Sequence, residues 1–199
     1  NCENNRDERS RYLLVENRKV ENYVDMALYY ARMDAVYKDY MIAETNLQEV
    51  AQQVLLQNKY YLIQSHVKAE VACPDTVYSD KKWIAFILNQ LIQNSVKYGR
   101  SEGTHIQIVT KKTKSGVLLR VKDDGIGIPK EEIPRIFEKG FTGTNGRNRE
   151  RSTGMGLYLC RKLCDKLNIE IRAESAEGKG TEIILMFPVS DYLTGYRET

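Results

Sequence analysis

The pattern of hydrophobic positions divides the chain into two regions. Residues 8–34 carry apolar side chains every seven positions, in two interleaved series: Leu13, Val20 and Ala27, then Val24 and Ala31. This spacing predicts one long helix, and a single helix of this kind cannot bury its own apolar stripe. The stripe therefore predicts a partner helix or a second subunit. The polar junction at 35–39 predicts a domain boundary between residues 1–36 and 37–199.

The second region, from residue 37 onward, switches between helical and strand periods. Asn46, with Glu49 three residues later, and either Ser79 or Asp80 provide helix N-caps. The predicted helices cover 46–57, 80–97 and 156–167. The predicted extended segments cover 40–43, 66–71, 104–113, 117–122, 169–175 and 181–187. Helices on one face of a mixed sheet form a two-layer α/β (α+β) sandwich, preceded here by the long N-terminal helix.

Composition narrows the function only slightly. A net charge of +3 over 199 residues is too small to indicate nucleic-acid binding. No apolar run approaches the roughly 18 residues of a membrane span, so any membrane attachment would use segments outside this sequence. The four cysteines, at 2, 73, 160 and 164, form no Cys-x-x-Cys pair. Free thiols are therefore a simpler interpretation than a zinc site.

The predicted helix 80–97 has an unusual polar edge. Gln90, Asn94, Lys97 and Tyr98 follow one another at i, i+4, i+7 and i+8, beside a stripe of apolar and small side chains. An asparagine carbonyl oxygen is a hard ligand that suits Mg²⁺, and a lysine nearby suits phosphate oxygens. On this helix alone, an ordinary polar edge remains an equally simple interpretation.

A second candidate motif lies where the strand 117–122 ends. Asp123 precedes Gly125 and Gly127, so a carboxylate stands beside backbone that a ligand can approach closely. Such a carboxylate could accept a hydrogen bond from an exocyclic amine. A dinucleotide fingerprint is excluded because the third glycine is missing and Pro129 blocks the expected helix. A simple Asp-Gly turn is the alternative.

The third candidate is an anion site. Gly154 and Gly156 open the helix 156–167, where free N–H groups attract anions. The preceding loop 139–153 is basic and poor in apolar residues, which fits either a solvated loop or a mobile lid over phosphates. Near the C-terminus, the run 178–181 reads as a hairpin turn entering a strand. No P-loop pattern occurs in the chain.

Taken together, the order and spacing of these motifs over residues 40–188 resemble the GHKL ATPase superfamily, with its Bergerat-type ATP-binding fold. The resemblance implies that Asn94 coordinates Mg²⁺ and that Lys97 and the loop cations contact phosphates. It also implies that Asp123 accepts the adenine amino group, with Thr181 in support. The implied ATP-binding set is Gln90, Asn94, Lys97, Tyr98, Asp123, Gly125, Gly127, Ile128, Phe141, Thr142, Gly143, Arg151, Thr153, Gly154, Met155, Gly156, Leu157 and Thr181.

Gln90 separates two activities within that superfamily. Hydrolytic members resemble Glu-x-x-x-Asn, where the glutamate activates water, whereas here Gln90 precedes Asn94. A glutamine amide cannot take a proton at neutral pH, so the site resembles that of a kinase rather than an ATPase. The segments 137–143 and 152–158 are similar to bacterial sensor histidine kinases that detect bacitracin-like peptide antibiotics. That subfamily partners an ABC transporter.

The phosphoacceptor histidine of such a kinase has no match in this chain. His66 and His105 lack a downstream Thr-Pro, and both lie in alternating patterns that predict strands. The helix 8–34 resembles the second helix of the dimerisation hairpin. The resemblance thus implies a homodimer, a response-regulator partner, and a cytoplasmic domain of a membrane protein that binds Mg-ATP without phosphorylating itself. The alternatives are a non-catalytic nucleotide-binding module and an anti-sigma-type serine kinase. The heptad helix before the domain makes the serine kinase the less favoured of the two.

Overall fold

The computed structural model describes residues 40–144 and 153–189 together with part of the N-terminal segment. The described N-terminal positions are all helical, and they are Leu13, Glu16, Asn17, Val20, Glu21, Tyr23, Val24 and 26–30. Ala31 of the predicted stripe, the predicted domain boundary at 36/37 and Arg151 lie outside the described residues.

The described elements follow the predicted order with two additions. The helices are α1 (Leu47–Gln57), α2 (Lys59–Gln64), α3 (Lys81–Lys97) and α4 (Gly156–Lys166), with a 3₁₀ turn at Ile133–Arg135. The strands are β1 (Ala43–Asn46), β2 (Val67–Ala72), β3 (Thr76–Ser79), β4 (Thr104–Thr113), β5 (Gly116–Asp123), β6 (Glu170–Ser175) and β7 (Thr181–Pro188). The short α2 and β3 were not predicted, and the extended segment expected at 40–43 lies instead at β1.

Both predicted helix caps are confirmed. The Asn46 side chain accepts a hydrogen bond from the Glu49 N–H at 3.1 Å, which starts α1. Asp80, rather than Ser79, caps α3, because its Oδ1 accepts from the N–H groups of Lys82 at 2.9 Å and Trp83 at 3.3 Å. These caps fix where each helix begins and so set which side chains of α3 face the sheet.

The main sheet is mixed, as predicted. Its strand order is β2-β4-β5-β7-β6, in which only the β2–β4 pair is parallel. β1 and β3 form a separate antiparallel ladder. The register pairs Asp123, at the end of β5, with Thr181, at the start of β7. Two residues that are far apart in sequence are therefore neighbours at one edge of the fold.

The core lies between the sheet and α1, α3 and α4. The predicted apolar stripe of α3 is buried there, at Ile84, Ile87, Leu88, Leu91 and Ser95. It meets fully buried side chains of the sheet and of α4: Ile106, Ile108, Leu119, Leu185, Leu159 and Leu163. With the stripe turned inward, the adjoining polar edge of α3 lies at the rim of this core, which confirms the two-layer arrangement.

The N-terminal helix has two different faces. Its predicted stripe is exposed in the single chain, with Leu13, Val20 and Val24 exposed by 60%, 59% and 51%. On another side, Tyr29 packs against Trp83 and Phe86 of α3, at ring-centroid distances of 4.8 and 4.5 Å. One face is thus covered by the sandwich while the stripe stays open. Within the described residues, no helix has the length and apolar composition needed to span a bilayer.

The two histidines occupy different environments, and one prediction about them was wrong. His105 lies in β4 as expected, with its Nε2 3.2 Å from Glu70 Oε1. His66 instead precedes β2 in a turn and has a φ of 54°. His66 is polar, as an outward-facing residue of the strand would be at that position. The alternating sequence pattern therefore extends one residue beyond β2.

Three cysteines are free thiols inside the core, as the sequence suggested. Cys73, Cys160 and Cys164 are all fully buried. Burial raises the pKa of the Cys73 thiol to about 11 and that of Cys164 to about 12. They are therefore protonated near neutral pH and act as small apolar side chains.

Candidate functional site

A cavity at the edge of the sandwich collects most of the predicted site residues. It opens between the polar edge of α3, the end of β5, the start of α4 and the segment 127–143. Its lining includes Gln90, Asn94, Lys97, Tyr98, Asp123, Gly127, Ile128, Phe141, Thr142, Gly143, Thr153, Gly154, Gly156, Leu157 and Thr181. Gly125 and Met155 are next to lining residues in the chain but do not line the cavity themselves.

The Asp123 carboxylate is held by three hydrogen bonds. Its Oδ1 accepts from the N–H groups of Gly125 at 3.0 Å and Thr181 at 3.1 Å. Its Oδ2 accepts from the Ser95 hydroxyl of α3 at 2.8 Å. A carboxylate has about four acceptor positions, so one remains for a ligand donor.

Burial and hydrogen bonding have opposite effects on the pKa of the Asp123 carboxyl group. Loss of water around the carboxylate raises its pKa above the ordinary value, while the hydrogen bonds from Ser95, Gly125 and Thr181 lower it in part. The negative charge of Asp124 adds to the rise. The group is thus a desolvated acceptor with a fixed orientation, which suits recognition of an N–H donor.

A hydroxyl pair ties the Asp123 region to the hairpin 175–181. The Ser175 hydroxyl donates to the Gly180 carbonyl at 2.7 Å and accepts from the Ile128 N–H at 2.9 Å. It also lies 3.0 Å from the Thr181 hydroxyl. Ser175 was not among the predicted site residues, because its link to Ile128 spans 47 positions of sequence.

The glycines at the site are required by the protein's own packing. Gly127 has a φ of +71°, and a Cβ there would lie 2.0 Å from the Ala176 carbonyl oxygen. Gly154 has a φ of +64°, and its Cβ would lie 2.4 Å from the carbonyl carbon of Gly140. Backbone segments therefore approach each other at both points, which fixes the cavity walls and allows no side chain there.

The α3 edge contrasts with the Asp123 region. Gln90 is only 5% exposed, and its Nε2 has no hydrogen-bond partner among the described residues. Its Oε1 lies where it would be 2.8 Å from a Cβ at Gly156. Asn94, Lys97 and Tyr98 are half-buried along the same edge. A buried amide donor without a partner is costly, so this edge favours a ligand with acceptor oxygens.

The donor set fits a magnesium ion that arrives with phosphates. Within the part of the chain that the structure describes, no group of three or more His, Cys, Asp or Glu side chains is placed to hold a metal. Asn94 lines the cavity, and its side chain carries a single amide oxygen. Mg²⁺ commonly keeps several waters and takes one or two protein ligands plus substrate phosphates. Asn94 is thus sufficient only if the ligand supplies the remaining oxygens.

Several lining residues were not predicted. Besides the buried residues Leu91, Ser95, Val121 and Ile183, they are Tyr23 and Met26 of the N-terminal helix, Asn58 and Tyr61 around α2, Gln93 on α3, and Glu132 and Ile136 in the segment after β5. α2 was itself missed, so nothing pointed to Asn58 or Tyr61. Tyr23 and Met26 lie off the heptad stripe that drew attention to their helix. Of these residues, Gln93 could most readily have been predicted from the sequence, because it adjoins Asn94.

Comparison with known proteins gives one family. The family model for histidine kinase-, DNA gyrase B- and HSP90-like ATPases matches residues 79–191. Sensor histidine kinase YxdK of Bacillus subtilis (strain 168) is 34% identical over 174 residues, covering 86% of this chain and 54% of that protein. Sensor protein kinase GraS of Staphylococcus aureus (strain JH1) is 36% identical over 189 residues, covering 92% and 53%. The chain therefore spans about half the length of these curated relatives.

Two solved structures have the same fold. The catalytic domain of histidine kinase ThkA superposes with a TM-score of 0.64 at 26% identity, covering 74% of this chain and 97% of that one. ThkA in complex with the response regulator protein TrrA superposes with a TM-score of 0.66 at 21% identity, covering 92% and 52%. The second likeness, at this identity, concerns the fold alone.

Proposed function

Because this chain belongs to the family of histidine kinase-, DNA gyrase B- and HSP90-like ATPases, we propose that its cavity binds Mg-ATP and supports phosphoryl transfer to a histidine. The proposal rests on one observation: the same cavity has two ends with different hydrogen-bonding groups. Asp123 offers a fixed, desolvated acceptor at one end, and the α3 edge offers an unpartnered amide donor, an amide oxygen and a cation at the other.

Each end has a separate task in this proposal. Asp123 accepts the adenine amino group, with Thr181 in support and Gly127 and Ile128 forming the adjacent wall. The Asn94 oxygen holds Mg²⁺, and Lys97 balances phosphate charge together with cations of the loop 139–153, Arg151 included. Bound Mg²⁺ would neutralise charge on the phosphate oxygens. The start of α4 at Gly156, together with Gly154 just before it, directs N–H groups toward the same phosphates.

Gln90 determines the fate of the γ-phosphoryl group. A buried amide can donate a hydrogen bond to a phosphate oxygen but cannot remove a proton from water. Bound ATP would thus stay intact until a better nucleophile arrives. Phosphoryl transfer needs chiefly positioning and charge neutralisation, so a neutral imidazole is a sufficient acceptor.

The acceptor histidine would come from outside these residues. Neither His66 nor His105 lines the cavity. The open stripe of Leu13, Val20 and Val24 suits a partner helix, which fits a dimeric kinase whose acceptor helix packs against this one. The motif resemblance leads us to propose further a response-regulator aspartate as the next acceptor, attachment to a membrane through other segments, an antimicrobial-peptide stimulus and an ABC-transporter partner.

The test supplies the missing acceptor. A chain extended with a dimerisation hairpin that carries a histidine is incubated with Mg-ATP labelled at the γ-phosphate. The expected result is acid-labile, base-stable phosphate on the histidine, lost in an Asn94→Ala variant. No transfer despite measurable Mg-ATP binding would contradict the kinase proposal and favour a non-catalytic nucleotide-binding module. Acid-stable phosphate on a serine would favour an anti-sigma-type serine kinase.

A further inference from the structure

Glu132 is an acidic side chain in the wall of a cavity proposed to bind a polyphosphate. It lies on the turn after β5, where its N–H donates to the Pro129 carbonyl at 2.9 Å and its carbonyl accepts from the Arg135 N–H at 2.9 Å. It belongs to none of the motifs identified in the sequence. A negative charge there repels phosphates, so its presence calls for a separate explanation.

The Glu132 carboxylate is engaged with the segment 141–144. Its Oε1 accepts from the Thr144 N–H at 2.9 Å and from the Thr144 hydroxyl at 2.5 Å. Its Oε2 lies only 2.6 Å from where a Cβ on Gly143 would stand. Gly143 has a φ of +61°, so glycine both adopts this turn and leaves room for the carboxylate.

The near end of the same segment is fixed by other contacts. The Gly140 N–H donates to the Gly154 carbonyl at 3.0 Å, and the Phe141 N–H donates to the Glu138 carbonyl at 3.2 Å. The Arg135 guanidinium lies 4.6 Å from the centre of the Phe141 ring. Thr144, at the far end, is held by the Glu132 side chain across 12 positions of sequence.

We propose that Glu132 is a positioning residue, which fixes Phe141, Thr142 and Gly143 as one wall of the nucleotide cavity. The inference rests on the proposed function, because the wall matters only if the cavity binds Mg-ATP. Two charge-assisted hydrogen bonds to one carboxylate oxygen hold the wall in a single position, and they also draw the negative charge away from the ligand. Without these hydrogen bonds, ordering the wall when Mg-ATP binds would reduce the free energy of binding.

Three variants test this. Glu132→Ala removes both hydrogen bonds, Glu132→Gln keeps an acceptor oxygen, and Glu131→Ala removes an exposed charge from the adjacent position as the matched control. We expect the Kd for Mg-ATP to rise about tenfold in Glu132→Ala, to return to within about threefold of wild type in Glu132→Gln, and to stay unchanged in Glu131→Ala. Melting temperatures without ligand should agree among the four proteins.

A second measurement does not depend on nucleotide. Amide hydrogen exchange of Thr144 in the ligand-free chain should accelerate about tenfold or more in Glu132→Ala, since its hydrogen-bond acceptor is gone. Slow exchange in that variant, or equal Mg-ATP affinity of wild type and Glu132→Ala, would overturn the inference and leave the proposed function intact. Failure of the wild type to bind Mg-ATP would overturn the proposed function, and exchange alone would then decide whether Glu132 holds Thr144.

Discussion

The two ends of the cavity satisfy their polar groups in different ways. At the strand end, the protein itself provides three donors for the Asp123 carboxylate. At the helix edge, the buried Gln90 amide nitrogen has no partner among the described residues. Under the proposed function, the strand end selects a rigid donor group, and the helix edge is completed by the oxygens of the ligand. Substitutions at the two ends should therefore have different effects on binding and on the reaction.

The largest effect is expected at the strand end. Asp123→Asn keeps the side-chain shape but sets an amide donor against the adenine amino group, which is also a donor. We expect the affinity for ATP to fall about 100-fold, because an acceptor is lost and a donor is left unsatisfied. Isothermal titration calorimetry measures this. Asp124→Asn, with the same change of charge one residue later, is the control and should retain nearly full affinity.

At the helix edge, a substitution of Gln90 should change the reaction rather than the affinity. Gln90→Glu places a carboxylate where hydrolytic relatives of the fold carry their base, and burial would raise its pKa toward the range of a useful base. We expect steady-state ATP hydrolysis to rise between about tenfold and 100-fold, measured as released phosphate. Gln93→Glu is the control on the same edge. Equal turnover of Gln90→Glu and wild type would show that geometry, not protonation, limits attack by water.

Asn94→Ala should separate metal from nucleotide. Loss of the single amide ligand is expected to weaken Mg-ATP about tenfold, while ATP in excess chelator binds as it does to the wild type. Competition with a fluorescent nucleotide, with and without Mg²⁺, measures both values. An equal loss in both conditions would assign Asn94 to the nucleotide and not to the ion.

The smallest effect concerns stability without ligand. Burial raises the folded-state pKa of Asp123, so the folded chain holds its proton more tightly than the unfolded chain does. This carboxylate therefore lowers stability at neutral pH, and the cost disappears as the pH falls through the raised pKa. We expect Asp123→Asn to melt about 2–4 °C above wild type at pH 7, with the gap closing toward acidic pH. A gap that widens on acidification would show that the Asp123 carboxylate stabilises the ligand-free fold at neutral pH.

Long elements with side-chain caps could be predicted from the sequence. α3 has Asp80 as its cap and an uninterrupted apolar stripe, so its bounds and its buried face follow from local pattern. α2 and β3 could not be predicted, because six and four residues carry too little periodicity. Each exists through long-range contacts, such as the pairing of β3 with β1.

The same distinction holds for the cavity. Asn94, Asp123 and Gly154 stood out because their residue types and spacing carry the chemistry. Ser175 and Glu132 did not, because each acts on backbone groups that only the fold brings near. Most residues that the sequence singled out line the cavity, whereas the groups that hold them in place depend on tertiary contacts.

The most direct test maps the ligand onto the chain. Backbone amide resonances of an isotope-labelled protein are followed while Mg-ATP is added. We expect the largest shifts at Gly125, Gly127, Gly156 and Thr181, and none at Ser115 in the β4–β5 turn, at the opposite end of β5 from Asp123. Saturable shifts confined to the cavity would support both ends of the comparison. Shifts centred elsewhere, or none at millimolar Mg-ATP, would contradict the claim that this cavity is a nucleotide site.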